Sequence, residues 1–277
     1  MRYLKNHAMA VAVVVIALFL AIAGIILSRP GFWKQYEHHP ALSGMPKTAF
    51  SRNNLPADPI NIVLVGDKPF VVHALLASGW VPADPITMKT SLEEAASALF
   101  GFNYIHAPVS NMYLWNRVQD LAFEQPLPGG ARKRHHVRLW RVPGGSNSGL
   151  GVWLGTATFD TRVGLVHHSL IFTHRIAPAV DSEREKLVDD LIRAGRVQQQ
   201  YQVTGVGQTL NGRTANGDWY YTDGEMAVCI LEQSRNRRTT PPERLESPVH
   251  VRLKDRIWRL ARPFINAMER FMKDAGS

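Results

Sequence analysis

The sequence predicts an α+β domain, a mixed and mostly antiparallel sheet with flanking helices, preceded by one N-terminal transmembrane helix. Three observations carry that expectation. Twenty residues from Ala8 to Leu27 hold no charge and no strongly polar side chain. A continuous apolar run, Ile60 to Val65, is closed by Gly66 and followed at once by a helix signal. Beyond residue 117, short segments rich in Val, Leu, Trp, Phe and Thr recur between glycines and prolines, a strand pattern rather than a helical one.

The first element is the apolar stretch. At about 1.5 Å per residue it reaches about 30 Å, the hydrocarbon thickness of a bilayer. Arg2 and Lys5 precede it, Arg29 and Lys34 follow, and Phe32, Trp33 and Tyr36 supply interfacial aromatics. Ala21-Ile22-Ala23 has the small-x-small form of a signal-peptide cleavage site. The apolar run continues past it through Ile25, Ile26 and Leu27, which favours an uncleaved anchor over residues 1–30. A short tail before a single span places the rest of the chain outside the inner membrane, facing the periplasm. Residues 31–57, with no sustained period, read as a linker.

The domain then spans 58–232. After the strand 60–65, Asp67 is a candidate N-cap, Pro69 sits in the first turn, and the helix 69–78 stops at Gly79. Thr90 or Ser91 caps a second helix with Glu93 and Glu94 in its first turn. Strands are expected at Val118–Phe123, His136–Val142, Gly151–Phe159 and Leu165–Phe172. The glycine-rich turn 144–149 lacks the spacing of a phosphate loop. Asp181 to Ala194 is a helix ending at Gly195, and Val197–Val203 a strand. Trp219–Tyr221 and Met226–Leu231 read as a hairpin joined by Thr222-Asp223-Gly224.

The tail, 233–277, has its own character. Ile257, Ala261, Phe264, Met268 and Phe271 recur at helical spacing among Arg252, Lys254, Arg256, Arg259, Arg262, Arg270 and Lys273. Such a basic amphipathic helix either docks on its own domain or lies on a membrane surface.

Composition bounds the function. With 277 residues, 45% of them hydrophobic, the chain can bury a full core. One cysteine, Cys229, excludes a disulfide framework, a zinc ribbon and an iron–sulfur site. The net charge of +9 is uneven: residues 1–57 carry six Lys/Arg against one acid, 58–232 carry fifteen against seventeen, and 233–277 carry eleven against five. The basic character is therefore membrane-proximal. With no nucleic-acid reader motif beside it, a nucleic-acid partner is not expected.

Candidate chemistry gathers in the middle of the domain. His135, His136, His167, His168 and His174 lie within forty residues of one another, near Asp160 and Asp181. Histidines and carboxylates on neighbouring strands can converge on a metal or supply a general base. No HExxH, DxDxG, GxSxG or paired CxxC accompanies them, and adjacent histidines on a strand point to opposite faces. No particular metal or cofactor is specified. On a strand, His136, Arg138 and Trp140 share a face that could hold a phosphate or carboxylate through bidentate arginine contacts. The same residues also fit a solvated basic edge strand.

Several stretches together resemble the LssY C-terminal-like domain. They are Asp58-Pro59-Ile60-Asn61-Ile62-Val63-Leu64-Val65-Gly66, Ser78-Gly79-Trp80, Ala107-Pro108-Val109-Ser110, Arg134-His135-His136-Val137-Arg138-Leu139-Trp140, Trp153-Leu154-Gly155-Thr156-Ala157-Thr158-Phe159-Asp160, Thr173-His174-Arg175-Ile176 followed by Asp181-Ser182-Glu183-Arg184, and Tyr221-Thr222-Asp223-Gly224. The resemblance implies a bacterial membrane-associated domain, often fused behind phosphatidic-acid-phosphatase-like or DedA-like membrane domains, and it implies no reaction. This chain has one candidate span and no phosphatase motif, so a fusion partner's activity does not carry over. His136, Arg138, Asp160, His174, Asp181 and Arg184 fall on the motifs that carry the resemblance.

The leading expectation is a single-pass bacterial inner-membrane protein whose envelope domain binds an anionic ligand, a lipid headgroup or phosphate. Arg138 and Arg184 would hold the anion, with His136 and His174 assisting. One alternative is a hydrolase of a phosphoester or lipid, metal-dependent or not, using His136, His174, Asp160 and Asp181. Another is an assembly partner of a second membrane protein, contacted through the tail helix. Either ligand-site reading expects the six named residues to converge in one pocket.

Overall fold

The computed structural model describes residues 2–27, 44–83, 111–127, 130–144, 149–166, 169–204, 211–214, 217–249, 251–260, 263 and 267. The helix expected after Thr90, the segment Ala107–Ser110, the centre of the 144–149 turn, His167, His168 and most of the tail beyond 260 lie outside the described residues.

The first helix, α1, runs Arg2–Leu27. Its described side chains, at 11 and 13–24, include large apolar groups turned to the outside on all faces, with Phe19 70% exposed. Among the described residues no helix is long and apolar enough to cross a membrane.

The domain is a mixed α+β arrangement with mostly antiparallel strands, as the period-2 segments predict. In chain order the strands are β1 Thr48–Phe50, β2 Pro56–Pro59, β3 Ile62–Val65, β4 Val81–Pro82, β5 Tyr113–Leu114, β6 Arg117–Val118, β7 Leu121–Leu127, β8 Gly130–Arg141, β9 Val152–Val166, β10 Ser169–Ile176, β11 Val197–Thr204, β12 Asn211–Arg213, β13 Trp219–Tyr221, β14 Glu225–Leu231 and β15 Glu243–Arg244. Two helices interrupt them, α2 Lys68–Ala77 and α3 Val180–Arg193. The main sheet has the order β15-β11-β14-β3-β9-β8-β7-β4, with β10 also on β9. Among the described residues, only β14–β3 and β11–β15 pair in parallel within it. A smaller sheet, β2-β1-β5-β6, shares no ladder with it but packs on one of its faces.

Strand alternation splits the core in two. Val137, Leu139 and Ala157 face α2 and α3, where Leu75, Leu187 and Leu191 complete one cluster. Trp140, Leu154 and Val63 face the other way, onto Ala49, Ile60 and Leu114. α2 starts just after Asp67 with Pro69 in its first turn, and Gly79 (φ +81°) turns the chain at its end, both as the sequence predicts. α3 carries Asp181 and Glu183 in its first turn and stops before Gly195 (φ +66°).

Two residues knit β3, β9 and α3 together. A Cβ on Gly155 would lie 2.5 Å from Leu139 and 2.8 Å from the Arg138 carbonyl oxygen, so only glycine fits between the strands there. Asn61 extends the ladder just before β3 begins. Its Nδ2 donates to the Ala157 carbonyl at 3.0 Å and to the Val180 carbonyl at 3.3 Å, while its Oδ1 accepts from Ala157 N at 2.8 Å.

Three expectations change. The stretch 165–172 is not one strand, because β9 ends at Val166 and β10 returns antiparallel from Ser169. Trp219–Tyr221 and Met226–Leu231 do not form a hairpin. β13 pairs with β12, and β14 lies centrally between β11 and β3; the apolar run of β14 is buried at nearly every position, as a central strand requires. The basic strand β8 is not an edge, since β7 and β9 flank it. A fourth helix, α4 (251–260), rests on the domain through Val251, Lys254 and Trp258.

Candidate functional site

Strand register builds the site. β8 sets Arg134 opposite Asp160, His136 opposite Thr158 and Arg138 opposite Thr156 of β9, while β7 sets Glu124 opposite His136. Paired residues share a face, so one surface of the sheet carries all seven side chains. Asp58 of β2 closes over them. All eight are at most 6% exposed.

Within that surface, His136 Nε2 lies 2.7 Å from Asp160 Oδ2. Arg134 donates from Nη1 to Glu124 at 2.8 Å, with its Nε 3.9 Å from Asp160. Arg138 Nη1 donates to Asp58 Oδ2 at 3.2 Å, and the Thr158 hydroxyl donates to the same oxygen at 3.4 Å. Among the described residues, Arg138 Nε and Thr156 Oγ1 are buried with no hydrogen-bond partner. They belong to directly opposed residues on adjacent strands.

Burial sets the protonation here. It pushes the Asp58 carboxyl up to about 6, against the pull of Arg138, with Asp160 adding repulsion. Burial also lowers His136, a tendency its bond to Asp160 opposes. The imidazole is thereby held towards its neutral form, next to a carboxylate that orients it.

Asp181 and Arg184 belong to a different network. Both lie at the start of α3, on the helical side of the sheet. Arg184 is fully buried and its two Nη atoms reach Asp223 at 2.8 and 2.9 Å, with a further bond to the Glu225 carbonyl at 2.8 Å. Asp181 accepts from the Thr222 hydroxyl at 2.7 Å and from Asp223 N at 2.8 Å. Lys254 of α4 joins through Glu225 at 2.5 Å and the Asp223 carbonyl at 2.8 Å. Burial and the Asp223 charge push Asp181 up to about 7. Asp223 is held below its ordinary range because Arg184 outweighs burial. Arg184, whose protonation burial opposes, is kept charged by Asp223 and Asp181.

The six residues therefore do not converge in one pocket. His136, Arg138 and Asp160 share the sheet face; Asp181 and Arg184 tie α3 to the 222–225 loop. His174 pairs through its backbone with Val163 on β10–β9, and its side chain lies outside the described residues. His135, one residue from His136, points to the helical side and meets Glu183 at 2.6 Å, as strand alternation requires. Among the described residues no group of three or more His, Cys, Asp or Glu is placed to hold a metal ion. A cavity of about 690 Å³ lies elsewhere, between the end of α3 and the strap 237–244, bounded by Ile192, Arg193, Val197, Arg237, Arg238 and Pro242.

Sequence reasoning missed Asp58, Glu124, Thr156, Asp223 and Lys254 as members of these networks. For Asp58 and Asp223 a signal was present, since each is an acid within four residues of a buried apolar run, Ile62–Val65 and Met226–Leu231, where a charge has little solvent and needs a partner.

A mixed sheet backed by helices, with an ionic cluster buried on its far face, defines an α+β domain organised around internal charge pairs. The family model described as the LssY C-terminus matches residues 42–226, about two thirds of the chain, and the protein belongs to that family. No curated protein and no solved structure matches it.

Proposed function

We propose that this chain is a single-pass bacterial inner-membrane protein whose domain, on the periplasmic side, binds an oxyanion on the face of β8 and β9. The class of ligand is phosphate, free or in a lipid headgroup. α1 supplies the anchor in this reading, on the strength of the uncharged twenty-residue stretch Ala8 to Leu27.

The observation that supports the site is the pair of adjacent buried donors, Arg138 Nε and Thr156 Oγ1, with no partner among the described residues. A buried donor left unpaired costs about 1–3 kcal/mol, which an anion accepting from both would recover. Asp58, with its carboxyl up to about 6, is the group that would yield Arg138 to the ligand on protonation. His136 and Asp160 would line the same face. Arg184 is left out of the ligand set, because Asp223 occupies both its Nη atoms.

The test is calorimetric titration of the full chain in detergent micelles with inorganic phosphate and with glycerol phosphate. Binding is expected, about tenfold weaker in Thr156→Val. That variant should be no less stable than wild type, since it removes an unpartnered hydroxyl. Binding by neither probe, or equal binding by Thr156→Val and Arg138→Lys, would refute the assignment.

A second reading has one observation behind it. A neutral His136 held 2.7 Å from Asp160 is the arrangement of a general base, which would serve a hydrolase of phosphoesters or lipids. Turnover of a chromogenic phosphoester lost in His136→Gln would favour it over simple binding.

A further inference from the structure

The short helix α4 has three distinct rows of side chains. Val251, Lys254 and Trp258, at i, i+3 and i+7, are buried against the domain. Leu253, Ile257 and Leu260, at i, i+4 and i+7, form another row and are 56%, 40% and 69% exposed. Arg252, Arg256 and Arg259 repeat at the same spacing one residue earlier and are exposed as well. Arg256 stands beside both Leu253 and Leu260, at i+3 and i−4 from them. Val249, 71% exposed, precedes the helix at i−4 from Leu253.

A helix that only caps its own domain buries its apolar row and turns a charged one outward. Here a lysine lies on the buried face, satisfied by Glu225 and Asp255, while three large aliphatic side chains point away. We infer that α4 is a second membrane contact: it lies in the interface of an anionic bilayer, with Leu253, Ile257 and Leu260 among the acyl chains and Arg252, Arg256 and Arg259 against the headgroups. The chemistry chooses lipid over a protein groove. A continuous row of guanidiniums directly beside an aliphatic row matches a surface that is anionic outside and apolar a few ångströms deeper. The Lys254 and Trp258 contacts hold the helix against the domain, so the lipid-facing rows are presented in a fixed orientation. Burying these three aliphatic side chains is favourable in proportion to their exposed area.

This contact is separate from the ligand site on β8 and β9 and from the anchoring role of α1. The full chain, carrying Leu253→Cys labelled with a polarity-sensitive fluorophore, is reconstituted into phosphatidylcholine vesicles with and without phosphatidylglycerol. The only native thiol, Cys229, is fully buried and its thiol is pushed up to about 12, so labelling is confined to position 253. Expected are blue-shifted emission and quenching by brominated lipid in the anionic vesicles, both weak in pure phosphatidylcholine. Each Arg→Gln change in the basic row should lower the label's partitioning about fivefold. A matching label at Glu185→Cys, on the exposed side of α3, should stay aqueous. Aqueous emission from position 253 in both vesicle types would overturn the proposal. So would a blue shift that needs no lipid and grows with protein concentration, which would assign the row to a second copy of the chain. Alkaline extraction of the same vesicles reports on α1 alone, so failure of the anchor and failure of α4 are read separately.

Discussion

Asp223 receives both Nη atoms of Arg184, at 2.8 and 2.9 Å, inside the domain and not at its surface. That fork joins the first turn of α3 to the loop before β14, and Asp181 completes it by accepting from Asp223 N. An arginine so enclosed positions structure and has no donor directed to solvent.

Arg184→Ala is expected to destabilise the protein by about 3–5 kcal/mol, because it removes the guanidinium that pairs with Asp223 and Asp181 and leaves only Lys254, engaged by Glu225, near them. Arg184→Lys should recover only part of that loss, since an ammonium cannot bridge both Asp223 oxygens. Denaturant unfolding of the full chain in detergent, followed by tryptophan fluorescence, measures both.

The sheet-face cluster gives two opposed pH dependences. Asp58 has its folded value raised from 3.8 to about 6, so its contribution is complete below about pH 4 and is lost as pH rises through about 6. His136 is shifted the other way, lowered by burial. Its contribution is present above the ordinary imidazole range and is lost as pH falls through the depressed value. Thermal midpoints measured from pH 4 to 8 should therefore change slope in opposite senses in Asp58→Asn and His136→Gln.

Asn61→Ala is expected to cost about 2–3 kcal/mol. It strands the buried Ala157 N–H and the Ala157 and Val180 carbonyls, which Asn61 now satisfies. Asn61→Asp should not rescue it, because a carboxylate cannot donate to the two carbonyls. Hydrogen exchange at Ala157 is the direct measure, with loss of protection as the expected result.

Gly155→Ala tests the crossing of β9 over its neighbours. The added methyl meets Leu139, Ile62 and the Arg138 carbonyl oxygen, all within 2.8 Å. Overpacking of about 1–3 kcal/mol is expected, and the backbone contact places it at the upper end. Thermal unfolding checks it, and Leu139→Ala in the same chain should relieve only part of the loss.

What was legible in the sequence was local. The alternation along 136–140 placed His136, Arg138 and Trp140 on one face, and glycines marked the ends of both domain helices. What was hidden was pairing at a distance. Thr222-Asp223-Gly224 has the composition of a hairpin turn, yet its polar atoms serve α3, more than thirty residues upstream. The continuous apolar run of β14 was the available sign that this strand lies inside the sheet. Lys254 read as one more charge on a solvated face, although its spacing to Val251 and Trp258 puts it on the buried row. Five of the six candidate residues divide between two networks because the side chains of His136, Arg138 and Asp160 and the start of α3 lie on opposite sides of the same sheet, a relationship that no linear spacing encodes.

The central place of β14 has a consequence for where this protein can be cut. The stretch shared with the family stops at residue 226, the second residue of that strand. A fragment trimmed to the shared stretch would lose the parallel partner of β3, the antiparallel partner of β11 and the lysine that neutralises Glu225. The boundary that inheritance marks and the boundary that cooperative folding requires are thus different. The second takes in β14 and Lys254, which carries the start of α4 with it.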